Sequence, residues 1–282
     1  MSVDDFSYDQ FVLRNAGYIQ PATQEKIRNT RLLIAGCGMG SSPAMCAARL
    51  GFEKFILVDG DTVDAHNLNR QFYEFADVGK PKVEALKGQI LRINPQAEVE
   101  AVQAFLDAGN TEAIVGKADI VFDTIDFVDL PAILRLHGAA RARGADVFTA
   151  LNVGFGALVW YFPAGGPLGL SDILAPDLAD ANAAHGGAAS YADVFARFIR
   201  RIAPYLDKEV VDHVGHVLHS MSEGKACPAS QIAVGSFAVG AMALAMMHDA
   251  LAGKPVPAAP RLVIHSFTNH ATRIVDVSAP TP

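Results

Sequence analysis

From Arg31 onward, short apolar runs alternate with stretches of helical spacing, a pattern that predicts a parallel sheet covered by helices on both faces. RLLIAG (31–36) is a compact apolar run ending in glycine. A helix is expected over 41–51, followed by a second strand, KFILVD, which ends at Asp59. Residues 80–93 read as a helix with Pro81 in its first turn. AEVEAV (97–102) and ADIVFD (118–123) read as strands, 130–143 as a helix, and DVFTAL (146–151) and ALVWYF (157–162) as strands.

The texture changes after Pro163. The stretch 164–190 is rich in Gly, Ala, Pro and Asp and reads as a long irregular connection. Helices are expected over 191–205 and 208–223, then an apolar helix from about 229 to 251. RLVIHSF and TRIVDV, separated by TNHA, read as a closing antiparallel hairpin. The chain thus divides into an N-terminal arm (1–30), a nucleotide-binding unit (31–163), a crossover segment expected to form a mobile lid (164–228), and a helix with closing hairpin (229–282). The expected class is α/β: a Rossmann-like mixed, mainly parallel sheet with an inserted helical crossover.

With 282 residues, the chain can bury one large core. Its net charge of −7 and isoelectric point near 5.7 offer no basic field for nucleic acid or an anionic membrane. Cys37, Cys46 and Cys227 form no C-x-x-C pair, which argues for a reducing compartment and against disulfides or a structural zinc. The N-terminus, MSVDDFSYDQ, lacks the basic and apolar regions of a signal peptide, so the cytoplasm is the expected setting. The apolar stretch 232–247 falls short of the roughly 20 residues a membrane span needs. A buried helix is the expectation.

Gly36-Cys37-Gly38-Met39-Gly40-Ser41 joins the first strand to the first helix. Glycines let a backbone approach a phosphate, and a helix N-terminus offers free N–H groups and a positive dipole end. Asp59, 23 residues after Gly36, ends the next strand, where a carboxylate can accept from ribose hydroxyls. This order points to nucleotide binding, against a tight turn without ligand. Ser41 stands where the dinucleotide fingerprint G-x-G-x-x-G has its third glycine, which counts against a nicotinamide-dependent oxidoreductase.

Three motifs follow: Asp59-Gly60-Asp61-Thr62-Val63, Asn67-Leu68-Asn69-Arg70-Gln71-Phe72 and Val78-Gly79-Lys80-Pro81-Lys82. In this order and spacing they resemble the ThiF/MoeB/HesA family of adenylyltransferases, relatives of the adenylation domains of ubiquitin-activating enzymes. The resemblance covers about 10–162 and returns around 227–255. It implies ATP and magnesium, an acyl-adenylate formed with release of pyrophosphate, and a homodimer. Arg70 and Lys82 would contact the phosphates, a role that suits a planar guanidinium and a movable ammonium. Asp61, Asn69 and Gln71 would help to position the nucleotide.

Asp126, the second aspartate of Asp123-Thr124-Ile125-Asp126, would bind the magnesium; capping of the next helix is the alternative, and Phe127 replaces the family's usual asparagine. Arg14, in Arg14-Asn15-x-Gly17, would reach across the dimer into the partner's ATP site, although aligning Asp9-Gln10 there leaves no arginine. Cys227 sits where many family members carry an acyl- or sulfur-accepting cysteine. Pro228 replaces the threonine or arginine that usually follows it, and a structural role is the preferred reading. His213, His216 and His219 recur every three residues, but they drift around a helix and read as a polar face rather than a metal site.

The implied substrate carboxylate is the C-terminus of a small ubiquitin-like or sulfur-carrier protein, or a peptide. A D-x-I-D motif also resembles the enzymes that dehydrate threonylcarbamoyl-adenosine in tRNA, against which the acidic isoelectric point counts. A catalytically dead dimeric scaffold would have no need to keep Arg70, Lys82 and Asp126 together.

Overall fold

The computed structural model describes residues 5–184, 191–222 and 230–278. Its strands are β1 (Arg31–Ala35), β2 (Lys54–Val58), β3 (Glu98–Val102), β4 (Ile120–Asp123), β5 (Asp146–Asn152), β6 (Gly156–Phe162), β7 (Arg261–Ser266) and β8 (Ala271–Asp276). They form one sheet ordered β3-β2-β1-β4-β5-β6-β7-β8. Pairings among β1 to β5 are parallel, and those from β5–β6 through β7–β8 are antiparallel. The expected mixed, mainly parallel Rossmann-like sheet is therefore present.

The helices are α1 (Tyr8–Phe11), α2 (Pro21–Asn29), α3 (Ser41–Leu50), α4 (Lys82–Ile93), α5 (Thr111–Val115), α6 (Leu130–Arg143), α7 (Leu170–Ala184), α8 (Tyr191–Ile202), α9 (Lys208–Ser222) and α10 (Ala233–Leu251). Because successive strand residues point to opposite faces, the sheet feeds two cores. Leu33, Ile56, Val121 and Val147 pack with Leu136 of α6, Ile173 of α7 and Phe198 of α8. Leu32, Phe55, Phe122 and Phe148 pack with Ala44 of α3, Leu86 of α4 and Val239 of α10. Burial on both faces explains why these strands read as continuous apolar runs.

By length and composition α10 could cross a membrane. Here it lies along α3 and against β5 and β6, with Ala238, Val239, Ala243, Leu244 and Met247 buried. Ser42 Oγ donates to the Ser236 carbonyl at 2.6 Å, and a Cβ on Gly240 would stand 2.5 Å from that hydroxyl oxygen. The small residues of α10 permit this close approach.

The connection expected to be irregular over 164–190 is instead helical from Leu170 to Ala184, with Pro176 inside the helix. Leu170, Ile173, Leu174 and Ala181 recur on one face and are buried, so burial outweighs the Gly-, Pro- and Asp-rich composition. In α8, Phe198 lies 5.0 Å from Trp160 (ring centroids), and Arg201 pairs with Asp177 of α7 at 2.6 Å. Helices α7 and α8 thus complete the core on one face of the sheet.

The chain runs β1, β2, β3 outward on one side, then returns to place β4 on the other side of β1. Ala35 and Asp123 are register partners at the carboxyl ends of β1 and β4. This reversal of strand order is where open α/β sheets form their ligand crevice.

Candidate active site

The loop Gly36–Gly40 leaves β1 at that crevice and runs into α3. Gly36 has φ +87°, and a Cβ there would stand 2.5 Å from the Thr124 carbonyl oxygen. A Cβ on Gly40 would collide with the Gly36 carbonyl oxygen and the Ile34 side chain. Both glycines are demanded by the fold of the loop. Gly38 differs: a Cβ there would meet only the Gln71 amide, at 3.1 Å.

Asp59 closes the loop from the β2 side. One carboxylate oxygen accepts from Cys37 N–H at 2.7 Å and the other from Asp61 N–H at 2.8 Å. The carboxylate is largely buried and retains further acceptor capacity on both oxygens. Ser41, fully buried, donates its hydroxyl to the Gly38 carbonyl at 2.6 Å and accepts from Phe72 N–H at 3.0 Å. Where dinucleotide folds place a glycine, this serine binds the loop to the Asn67–Phe72 motif. Tyr73 adds a second tie, donating to the Cys37 carbonyl at 2.8 Å. Burial pushes its phenol well above the ordinary range, so it remains a protonated donor.

Gln71 is 8% exposed and its Oε1 has no hydrogen-bond partner, although it lies beside Gly38. A buried amide oxygen without a donor is costly. The amide end of the Gln71 side chain, led by Nε2, packs against Gly38 and fixes that side of the glycine loop to the Asn67–Phe72 motif.

Lys82 begins α4, where its backbone N–H donates to the Asp61 carbonyl and its Nζ reaches Asp61 Oδ2 at 2.8 Å. Arg70 is half-buried, and that burial lowers its guanidinium from the ordinary value while leaving it cationic. It donates to the Gln231 side-chain oxygen at 2.8 Å, to the His66 carbonyl at 2.8 Å and to Asn69 Oδ1 at 3.0 Å. Asn69 in turn donates to the Gln231 carbonyl at 3.2 Å.

The turn after β4 reaches the same loop. Thr124 donates its hydroxyl to the Gly36 carbonyl at 2.7 Å. Asp123 accepts from Ile125 N–H at 3.1 Å, and its other oxygen lies 3.1 Å from both His137 Nε2 and Thr149 Oγ1 in a buried cluster. Asp126, at the end of this turn, is exposed. Among the described residues no group of three or more His, Cys, Asp or Glu side chains is placed to hold a metal ion. A magnesium ion needs no such group: it takes one or two carboxylates and fills its shell with phosphate oxygens and water. An exposed carboxylate in the turn whose Thr124 contacts the glycine loop fits that mode.

Of the residues singled out from sequence, Gly36, Gly38, Gly40, Ser41, Asp59 and Gln71 meet around one loop. Asp61 and Lys82 form a pair on the adjoining strand–helix connection, and Arg70 and Asn69 form a ring with Gln231. Arg14 lies in the turn Leu13–Asn15, exposed between Leu13 (65% exposed) and Tyr18 (89%). No hydrogen bond or ion pair among the described residues ties it to the glycine loop. Cys227 lies outside the described residues. His213 is occupied by an accepted hydrogen bond from Ser230 N–H at 3.0 Å, consistent with a polar helix face. Sequence reasoning missed Gln231, Thr124 and Tyr73, since none of them carries charge or a distinctive spacing.

Several known proteins are similar to this chain. Over 107 residues the chain is 37% identical to the molybdopterin-synthase adenylyltransferase of Escherichia coli (strain K12), covering 37% of this chain and 43% of that protein. It is 36% identical over 107 residues to the tRNA threonylcarbamoyladenosine dehydratase of Bacillus subtilis (strain 168), covering 37% and 42%. The match thus spans less than half the length of each relative. Among solved structures, E. coli MccB crystallised with ATP superposes with a TM-score of 0.64 at 18% identity, covering 93% of this chain and 67% of that one. PaaA superposes with a TM-score of 0.66 at 21% identity, covering 96% and 80%. At these identities the likeness establishes the fold. The family model described as the ThiF family matches residues 12–282, and with the glycine loop, the Asn67–Phe72 motif and the aspartate turn meeting at one crevice, the chain belongs to the ThiF family.

Proposed function

We propose that this protein is an ATP-dependent adenylyltransferase that joins a carboxylate to the α-phosphate of ATP and releases pyrophosphate. The observation that carries this reading is a glycine loop at the N-terminus of α3 whose backbone is fixed by the strand-end carboxylate of Asp59 and tied through Ser41 to the Asn67–Phe72 motif. In this reading a carboxylate oxygen attacks the α-phosphorus, the bond to the β,γ-diphosphate breaks, and the leaving group carries the electron pair. Asp59 accepts from the ribose, the loop amides and Lys82 hold phosphate oxygens, and Arg70 balances charge on the departing pyrophosphate. Asp126 is the residue that would hold a magnesium ion, which would supply charge neutralisation. The chain's main contribution is positioning and fixed charge rather than proton transfer.

The substrate we favour is the C-terminus of a small ubiquitin-like or sulfur-carrier protein, or of a peptide. Relatives named for sulfur-carrier adenylation and the crystals of MccB with MccA support this class. The active unit is a homodimer in which each Arg14 serves the partner's site; its exposure between Leu13 and Tyr18 suits a surface that a second copy covers. The setting is the cytoplasm. A tRNA threonylcarbamoyl-adenosine dehydratase-like activity is the second reading, favoured by the D-x-I-D turn and the B. subtilis relative but disfavoured by the acidic chain. The test is exchange of labelled pyrophosphate into ATP with carrier proteins, peptides and modified tRNA supplied separately. Exchange only with a polypeptide carboxylate supports the first reading. Turnover only with tRNA supports the second, and ATP binding with no exchange for any substrate would falsify the adenylation reading.

A further inference from the structure

Arg70 makes an uncommon set of contacts for a half-buried guanidinium. Its three acceptors are the Gln231 side-chain oxygen, the His66 carbonyl and Asn69 Oδ1, and all are neutral. No carboxylate among the described residues pairs with it, and burial alone accounts for the lowering of its guanidinium. A partly desolvated cation without a counter-ion is normally compensated by an acidic neighbour. Here the compensation is left open, as expected where an anionic ligand supplies it.

Gln231 is the one member of this set that is remote in sequence, 161 residues from Arg70. It lies just ahead of α10, whose N-cap is Ile232. It grips the Asn69–Arg70 pair twice, through its side-chain oxygen to Arg70 Nε and through its carbonyl to Asn69 Nδ2. Since Arg70 also donates to Asn69, the three residues close a ring. The neighbouring Ser230 is tied to α9 by its bond to His213, and Asn152 at the end of β5 donates to the Ile232 carbonyl at 2.9 Å. The segment bearing Gln231 is therefore anchored on both sides, and an anchored amide can fix the direction of a long, flexible arginine.

We propose that Gln231 is the positioning residue of Arg70: it orients the guanidinium through a neutral hydrogen bond and leaves the charge available to the phosphates. A glutamate in its place would hold Arg70 equally well and cancel that charge. An alanine would release Arg70 but leave it cationic. The inference rests on the phosphate-binding reading of Arg70.

The experiment measures ATP affinity by calorimetry, and kcat and KM for pyrophosphate exchange, in Gln231→Ala, Gln231→Glu and Gln231→Asn, each alone and in an Arg70→Ala background. Far-ultraviolet dichroism and thermal unfolding confirm that each variant is folded. Gln231→Ala should weaken ATP binding by about tenfold, the loss expected for one hydrogen bond to a charged group. Gln231→Glu should be weaker still, although it restores a bond to Arg70. The Gln231→Ala loss should disappear once Arg70 is alanine. A purely structural role predicts the opposite order, with glutamate better tolerated than alanine. The proposal is overturned if both variants bind ATP as the parent does, if glutamate outperforms alanine, or if the alanine effect persists undiminished without Arg70. Failure of the parent itself to bind ATP would instead overturn the nucleotide-site reading.

Discussion

Lys82 Nζ lies 2.8 Å from Asp61 Oδ2, with the lysine side chain 9% exposed and the aspartate side chain 53% exposed. The cation is inside and its counter-ion is on the rim. Such a pair contributes little to stability, because the aspartate stays solvated. It does hold an ammonium in place beside the glycine loop, and under the proposed function an incoming phosphate takes over from the aspartate. Lys82→Met keeps the buried stem and removes the charge. ATP affinity should fall at least about tenfold while the unfolding temperature changes little. Calorimetry and a thermal scan check both, and unchanged ATP affinity would remove Lys82 from the site.

The loop glycines should separate into two kinds. Gly40→Ala places a methyl group against the Gly36 carbonyl and Ile34, so the fold must shift, at a cost of about 1–3 kcal/mol. Gly38→Ala meets only the movable Gln71 amide and should unfold at nearly the parental temperature. Because it fills space on the ligand side, it should still weaken ATP binding. Equal thermal losses in both variants would contradict the assignment of Gly38 to the ligand face.

Arg14 is expected to act across a twofold interface. Mixing Arg14→Ala with Arg70→Ala should give heterodimers with one intact site and one site lacking both arginines, so pyrophosphate exchange partly returns. Absence of recovery, with subunit exchange demonstrated by mass spectrometry, would place Arg14 in its own subunit's site or outside catalysis.

Cys227→Ala is expected to retain both adenylation and product formation. Trapping the substrate on Cys227 as a thiol-cleavable conjugate, together with loss of turnover in the variant, would establish the cysteine as an acceptor.

The sequence by itself determined the parallel strands, because burial on both faces forces runs such as Leu32–Ala35 and Ile120–Phe122 to be continuously apolar. It also placed in order the glycines, the strand-end aspartate and the two cations that the fold gathers around one crevice. Periodicity failed in two places. The five residues of α5 are too few to show it, and α7 carries Pro176 and a polar texture that conceal a face buried only when β6 and α8 are present. Local pattern cannot report burial that a distant segment supplies. The same reason hid Gln231: its bond to Arg70 spans 161 positions, and nothing in its neighbourhood distinguishes it from a surface amide. The orphaned oxygen of Gln71 and the inside-out Lys82–Asp61 pair likewise exist only after β1, β2 and β4 bring their carboxyl ends together. Chain order specified which groups are present; packing decided which of them meet and how far each is buried, because both depend on contacts between segments distant in sequence.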